Sequence, residues 1–278
     1  MKIILKIFSR NFLIRISYYL LPILKILYSG NKFIDPIDGR GYSKFLSYGY
    51  GKLRKNALSP GTLSLERHRL LWLYLNKSTN LLNSKLKVLH IAPEQIFYQK
   101  FKNNLNWDYT TFDLKSPLAD IKGDITNLSF KNNTFDLIIC NHVLEHIADD
   151  RSAMSEIYRV LKKDGMGILQ VPIDNNLEKT YEDITLVSKK DRTKHFGQYD
   201  HVRVYGRDYK DRLENFGKDN NIPIISISRH MSNYNWSKKF GVSKFHGFGD
   251  NLGTGHWNEN GHKFAGEIVG QKICEIYN

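Results

Sequence analysis

Three residues within one short stretch, His142, Glu145 and His146, carry the side chains most suited to moving protons or holding a metal. Imidazole and carboxylate groups titrate near neutrality or can be tuned to do so, and both ligate divalent ions. Their spacing, His-x-x-Glu-His, matches a zinc-peptidase pattern in which two histidines share one helix face and the glutamate is the base. That chemistry needs the motif inside a helix. Here it follows directly on the apolar run Phe135–Cys140, so a strand-to-helix turn is expected instead. A second cluster, His195-Phe196-Gly197-Gln198-Tyr199-Asp200-His201, offers two more imidazoles and an acid on a later loop. His195, Asp200 and His201 are therefore candidates for lining an acceptor pocket, with Tyr181 and Glu182 as further candidates. The plain alternative is a solvated loop whose histidines cap backbone groups.

These residues need a scaffold. Lys87–Ala92, Asp108–Asp113, Phe135–Cys140 and Gly165–Pro172 read as four strands. The third is nearly all apolar, as a central parallel strand should be. Between the last two, Met154, Ile157, Tyr158 and Leu161 recur at helical spacing, and Lys162-Lys163-Asp164-Gly165 is expected to close that helix. Strands alternating with helices predict an α/β fold, a doubly wound and mostly parallel sheet with ligands at the carboxyl ends of the strands.

The 278 residues carry 41 Lys and Arg against 28 Asp and Glu. Residues 1–80 hold 14 basic residues against three acids, Asp35, Asp38 and Glu66, so the basic excess is local. A nucleic-acid-binding domain would spread it over its binding face, and no nucleic acid is expected. Two isolated cysteines, Cys140 and Cys274, make neither a disulfide framework nor a thiolate metal site, so a reducing, cytoplasmic compartment and no metal are expected. Residues 1–30 mix apolar side chains with Lys2, Lys6, Arg10, Arg15 and Lys25 and contain no acid. The longest uncharged run, Ile16–Leu24, has nine residues. A spanning helix needs about 20. The segment reads either as a basic amphipathic helix on an anionic membrane surface, the inner one for a cytoplasmic protein, or as a helix packed on the protein's own core. Residues 31–80 are rich in Gly and Pro and read as a turn-rich head. Ser64 is expected to cap a helix that follows it.

Asp35-Pro36-Ile37-Asp38-Gly39, Ser59-Pro60-Gly61-Thr62 and Ser64-Leu65-Glu66-Arg67-His68-Arg69 resemble the head of a group of bacterial class I methyltransferases. The stretch FDLIICNHVLEH followed by YRVLKKDGMGILQVP resembles the core of the same S-adenosylmethionine (SAM)-dependent fold, and the likeness covers about residues 31–216. The resemblance implies a head over one end of a SAM-binding domain at 81–216, SAM as cofactor, and methyl transfer to an acceptor; a small molecule or a glycan is expected as that acceptor, the glycan only from the basic, membrane-facing N-terminus. Relatives often carry two Cys-Pro-x-Cys pairs in the head. Asp35, Asp38, Ser59 and Thr62 stand at those positions, and hard oxygen ligands do not make a thiolate zinc site. The resemblance also places Asp113 on the ribose hydroxyls and Asp124 on the adenine amino group, with Leu114 and Ile125 beside them. Asn141 and His142 fall next to the methyl donor. The first-strand loop departs from the family: His90-Ile91-Ala92-Pro93-Glu94 contains no glycine, His90 replaces the usual acid, and Glu94 is left to meet the cofactor's ammonium group. That departure keeps a second reading open, a degenerate fold used as a binding module. Residues 217–278 depart as well. Their Gly255-His256-Trp257 block resembles the end of SGNH hydrolases, but no Gly-Asp-Ser nucleophile block precedes it.

Overall fold

The computed structural model describes residues 10–49 and 53–219. The hydrolase-like block around His256 lies outside the described residues. The chain divides into two compact units, one with residues 83–209 and the helix residues up to 20, the other with residues 21–48, 54–82 and 210 onward.

Helix α1 (Arg10–Leu27) holds Pro22 in its interior. Tyr19, Leu20, Ile23, Ile26 and Leu27 on it are all exposed. No helix among the described residues is long and apolar enough to cross a membrane.

The head is not a string of turns. Its glycines and prolines punctuate two antiparallel hairpins, β1 (Ser29–Asp35) with β2 (Arg40–Tyr42), and β3 (Leu46–Tyr48) with β4 (Arg54–Leu58). Helix α2 (Glu66–Leu73) follows. Ser64 does not cap it. The Leu65 N–H donates instead to His68 Nδ1 at 3.0 Å, and Ser64 Oγ donates to Asp35 Oδ2 at 3.1 Å. Asp35 is wholly buried and also accepts from the Ile37 N–H at 2.9 Å and from the Thr62 hydroxyl. Asp38 accepts from Tyr42 Oη at 2.6 Å, with Lys25 Nζ 3.4 Å away. Gly61 is required beside it, because a Cβ there would lie 1.7 Å from Tyr42 Oη. Three of the four positions that relatives fill with cysteine thus make oxygen-centred hydrogen bonds to side chains or backbone groups of this unit, and the fourth, Ser59, accepts from the Gly61 N–H at 3.3 Å.

The other unit is built on a five-stranded parallel sheet in the order β7-β6-β5-β8-β9. The strands are β5 (Leu86–Ile91), β6 (Trp107–Asp113), β7 (Ile121–Lys122), β8 (Phe135–Asn141) and β9 (Leu161–Gln170). Helix α3 (Gln95–Lys102) connects β5 to β6, and α4 (Asp150–Val160) connects β8 to β9. Val88, Leu89, Leu137, Ile138 and Ile139 are fully buried at the centre. β8 is apolar from Phe135 to Cys140 except for Asp136, which accepts from the Lys87 N–H and from Lys162 Nζ, both at 2.8 Å. Phe97 and Phe101 stack at 5.0 Å and, with Trp107 4.9 Å from Phe101, seat α3 on the sheet. This is the Rossmann-like methyltransferase architecture.

One boundary differs from the sequence reading. The helix before β9 ends at Val160, and Lys162-Lys163-Asp164-Gly165 belongs to the strand. Leu161 already pairs with Phe135, and the bond from Lys162 to Asp136 holds the next residue extended.

Candidate active site

In an open parallel sheet the ligand crevice lies outside the carboxyl ends of the strands where the strand order reverses. Here that point is between β5 and β8. The residue after each strand, Ala92 and His142, has a left-handed backbone, φ 51° and 54°. Each is tied by its N–H to a neighbouring strand: Ala92 to the Phe112 carbonyl and His142 to the Gln170 carbonyl, both at 2.8 Å. Side chains other than glycine adopt this conformation at a cost of about 1–2 kcal/mol. Ala92 therefore turns the chain where a glycine would be expected to, and its small side chain keeps the backbone accessible.

His90 is buried with both ring nitrogens engaged. Nδ1 lies 2.7 Å from Tyr109 Oη and Nε2 lies 2.9 Å from Glu94 Oε2. The ring is thus used inside the protein, where it holds Glu94. Burial raises the Tyr109 phenol well above its ordinary value, so it stays a neutral hydrogen-bonding group.

Asp113 ends β6 half-buried. Its Oδ1 accepts from the Lys115 and Ser116 N–H groups at 2.7 and 2.5 Å, and both bonds fall on that one oxygen. Leu114 beside it is 60% exposed, an apolar face open to a ring. Asp124 is exposed, and its Oδ1 accepts from the Thr126 N–H and hydroxyl at 2.9 and 2.8 Å, which lower its carboxyl below the ordinary value. Ile125 is buried.

The segment after β8 is a tight turn. Only Leu144–His146 is helical, as a 3-10 turn. His142 and His146 therefore do not share an α-helical face, and the zinc-peptidase reading is excluded on geometry. His142 Nδ1 lies 3.1 Å from Glu145 Oε1. Glu145 is 1% exposed, and its Oε2 has no partner among the described residues. Asn141 Oδ1 is likewise buried and without a partner. Two orphaned oxygens at the end of one strand are unusual, because buried polar groups are almost always paired.

The later cluster is split. His195 is exposed on helix α5 (Lys189–Phe196), with its ring 3.4 Å from Tyr181 Oη, so it does not join the other candidates. His201 packs edge to face against His146 at 4.7 Å. Asp200 reaches His146 through its carbonyl at 3.2 Å and its carboxylate at 3.6 Å. Burial, followed by the charge of His146, lowers His201 below the ordinary histidine value and favours the neutral ring.

Sequence reasoning missed Arg203, which brings these segments together. It lies on β11 (Arg203–Val204), paired antiparallel with β10 (Tyr181–Glu182). It is 2% exposed and donates to the carbonyls of Leu144 at 2.9 Å, Ala148 at 2.8 Å and Ile147. Asp150 and Glu182 lie 3.7 and 3.2 Å away as counter-charges. Tyr205 Oη donates to Asp150 at 2.6 Å, and the Val202 N–H donates to the Glu145 carbonyl at 3.0 Å. The Asp200–Tyr205 strand is thereby fastened to the 144–148 turn. Only an Arg-x-Tyr spacing beside the cluster hinted at this, since most of the partners are distant backbone groups.

An uncharacterized protein of Methanocaldococcus jannaschii is 35% identical over 98 residues, covering 31% of this chain and 43% of that protein. The uncharacterized methyltransferase YcgJ of Bacillus subtilis is 40% identical over 48 residues, covering 17% of this chain and 19% of that protein. The chain thus spans less than half the length of the curated relatives it matches. Among solved structures, the YcgJ protein is 18% identical with a TM-score of 0.38, covering 56% of this chain and 68% of that one. A Burkholderia thailandensis 1,6-didemethyltoxoflavin-N1-methyltransferase, solved with S-adenosylhomocysteine, is 14% identical with a TM-score of 0.39, covering 58% and 74%. Residues 78–169, which hold the sheet from β5 into β9 and the Asn141–His146 turn, match the methyltransferase domain family, and S-adenosyl-L-methionine is the cofactor this domain implies.

Proposed function

We propose that this chain transfers a methyl group from SAM to an acceptor held beside His142, His146 and His201. The cofactor supplies a methyl group on a sulfonium, which an acceptor lone pair displaces in line. The observation that carries the reading is the pair of orphaned buried oxygens, Asn141 Oδ1 and Glu145 Oε2, at the reversal point of the sheet. A ligand with N–H, O–H or cationic groups satisfies them.

The residues present fit that cofactor. Asp113 commits one carboxylate oxygen to its own loop and keeps Oδ2 for the ribose hydroxyls. Leu114 and Ile125 offer apolar surface to the adenine, and Asp124 offers an acceptor to its amino group. Ala92 brings bare backbone to the crevice. Glu94, steadied by His90, meets the ammonium group. On the acceptor side, Glu145 fixes His142 through Nδ1, which leaves Nε2 to take the acceptor's proton. Asp200 orients His146 in the same way.

Calorimetric titration with SAM and S-adenosylhomocysteine tests this. Saturable one-to-one binding is expected. Asp113→Ala should weaken it by on the order of 100-fold, since two charge-assisted hydrogen bonds to the ribose are lost, each worth about 1.5–3 kcal/mol. No binding to well-folded protein overturns the reading. Binding with no methyl transfer across an acceptor screen leaves the binding-module alternative.

The acceptor's setting follows from α1. Tyr19, Ile23, Ile26 and Leu27 are 60–81% exposed along a helix that carries Arg10, Arg15 and Lys25 and no acid. We read this face as resting on an anionic membrane, with a lipid-linked sugar or another glycan as the acceptor class. Co-sedimentation with phosphatidylglycerol vesicles, weakened by salt and by Ile23→Asp/Ile26→Asp, is the expected result. Equal or absent binding to anionic and neutral vesicles removes it.

A further inference from the structure

We propose that Glu145, His146 and His201 form a binding site for one divalent transition-metal ion, with zinc as the probe of choice. The sequence pointed to no metal, because its cysteines are isolated and the His142–His146 motif follows a strand and does not lie inside a helix. In three dimensions His146 meets His201 instead. One ligand atom from each of the three residues lies within 4.8 Å of the other two, and metal bonds of about 2.0–2.2 Å would draw them closer. Two imidazoles and a carboxylate suit zinc and its first-row neighbours, and a three-ligand site leaves coordination positions open.

Three further observations point to a ligand. Glu145 is almost wholly buried, yet its Oε2 has no partner among the described residues. A buried carboxylate oxygen with nothing to accept from is costly, and a dication removes that cost. Each imidazole also has a backbone anchor, as metal-bound histidines usually do: His146 Nδ1 lies 3.2 Å from the Asp200 carbonyl, and His201 hydrogen-bonds to the backbone of Phe196. Glu145 Oε1 is held by His142, so Oε2 is the oxygen left over. The supports are rigid, since Arg203 clamps the turn bearing two of the ligands to the strand bearing the third.

The use of such an ion rests on the methyl-transfer reading, although its binding does not. A metal here would take the acceptor's hydroxyl or amine into an open position and make its proton more acidic. His142 Nε2 would receive that proton, and the lone pair left on the acceptor would attack the methyl carbon as its bond to the sulfonium sulfur breaks, the electron pair staying on sulfur in S-adenosylhomocysteine.

The test uses the untagged full-length chain, stripped of metal by chelation. Zinc is titrated by calorimetry, and cobalt(II) by its visible ligand-field bands. One equivalent is expected to bind. Affinity should fall more than about 100-fold in His146→Ala/His201→Ala, a larger loss than removing an outer-shell partner gives. Glu145→Gln, which keeps the shape of the side chain, should weaken it too and guards against a double variant that fails to fold. Asp113→Ala should lose SAM and keep zinc, while the histidine double variant should keep SAM and lose zinc. That crossed pattern separates failure of this site from failure of the methyl-transfer reading. Absence of stoichiometric zinc binding by folded wild-type protein overturns the proposal. So does one equivalent that persists in both the double variant and Glu145→Gln.

Discussion

Arg203→Met is expected to lower stability by about 3–5 kcal/mol, the range for removing one partner of a buried charge pair. The guanidinium is 2% exposed and answers three carbonyls in the 144–148 turn as well as Asp150 and Glu182. Methionine fills much of the volume but returns none of those bonds. Three turn carbonyls lose a donor, and Asp150, which also accepts from Tyr205 Oη, loses the guanidinium that answers its buried charge. The turn that carries Glu145 and His146 then loses its tie to the strand that carries His201, so the acceptor side should loosen before the sheet melts. Urea unfolding measures the loss. Arg207→Met is the comparison: Arg207 and Glu178 pair at 3.1 Å but are largely exposed, and such pairs are worth less than about 1 kcal/mol. Equal effects for the two variants would show that Arg203 is not the clamp described.

Asp35→Ala is the second large effect, and it falls in the other unit. This carboxylate is fully buried and accepts from one backbone N–H and two hydroxyls. It also faces the charge of Arg69, which is buried and donates to the carbonyls of Ser64 at 2.7 Å and Ala57 at 3.2 Å. Burial lowers the Arg69 guanidinium below its ordinary value, and the charge of Asp35 works against that shift. Alanine strands two hydroxyls and an amide and leaves Arg69 with one fewer counter-charge. A loss of about 3–5 kcal/mol is expected. Hydrogen exchange should localise it to the amides of β1, β2 and α2. Asp35→Asn keeps the shape and one acceptor oxygen and should cost less. If asparagine costs nothing, the charge of Asp35 is not what holds Arg69.

The strands of the sheet were legible because burial on both faces leaves a plain signal. Phe135–Cys140 is apolar except for Asp136, and β5 is apolar at four of its six residues. The start of β9 was not legible. Lys-Lys-Asp-Gly carries the signature of a helix end, and only a partner across the sheet, Asp136 for Lys162, makes it a strand. The head misled for a related reason: glycine and proline mark turns but do not say whether hairpins lie between them. At the site, the sequence displayed the residue types but not which of them meet. His142 and His146 looked like partners by spacing, and His195 and His201 looked like one cluster. A left-handed His142 and a short 3-10 turn undo the first pairing. The helix that carries His195 toward Tyr181 undoes the second. The glycine-free loop looked like a defect, but Ala92 adopts the backbone that a glycine would.

The strand order has a consequence for how the protein comes apart. β5–α3–β6 and β8–α4–β9 are each local units, joined in the sheet along the seam from Val88–Leu137 to Ile91–Cys140. That seam spans the longest stretch of chain between any two neighbouring strands of the sheet, so its closure carries the largest loop entropy. A molecule seated across the carboxyl ends of β5 and β8 touches both halves and can bind only after they have met. It acts as a staple on the last-formed contact and shifts the whole unfolding equilibrium by mass action. Protection of the His90 and Ile139 amides, on either side of the seam, should therefore rise in step with ligand occupancy, while those on α4 gain no more than the global change requires.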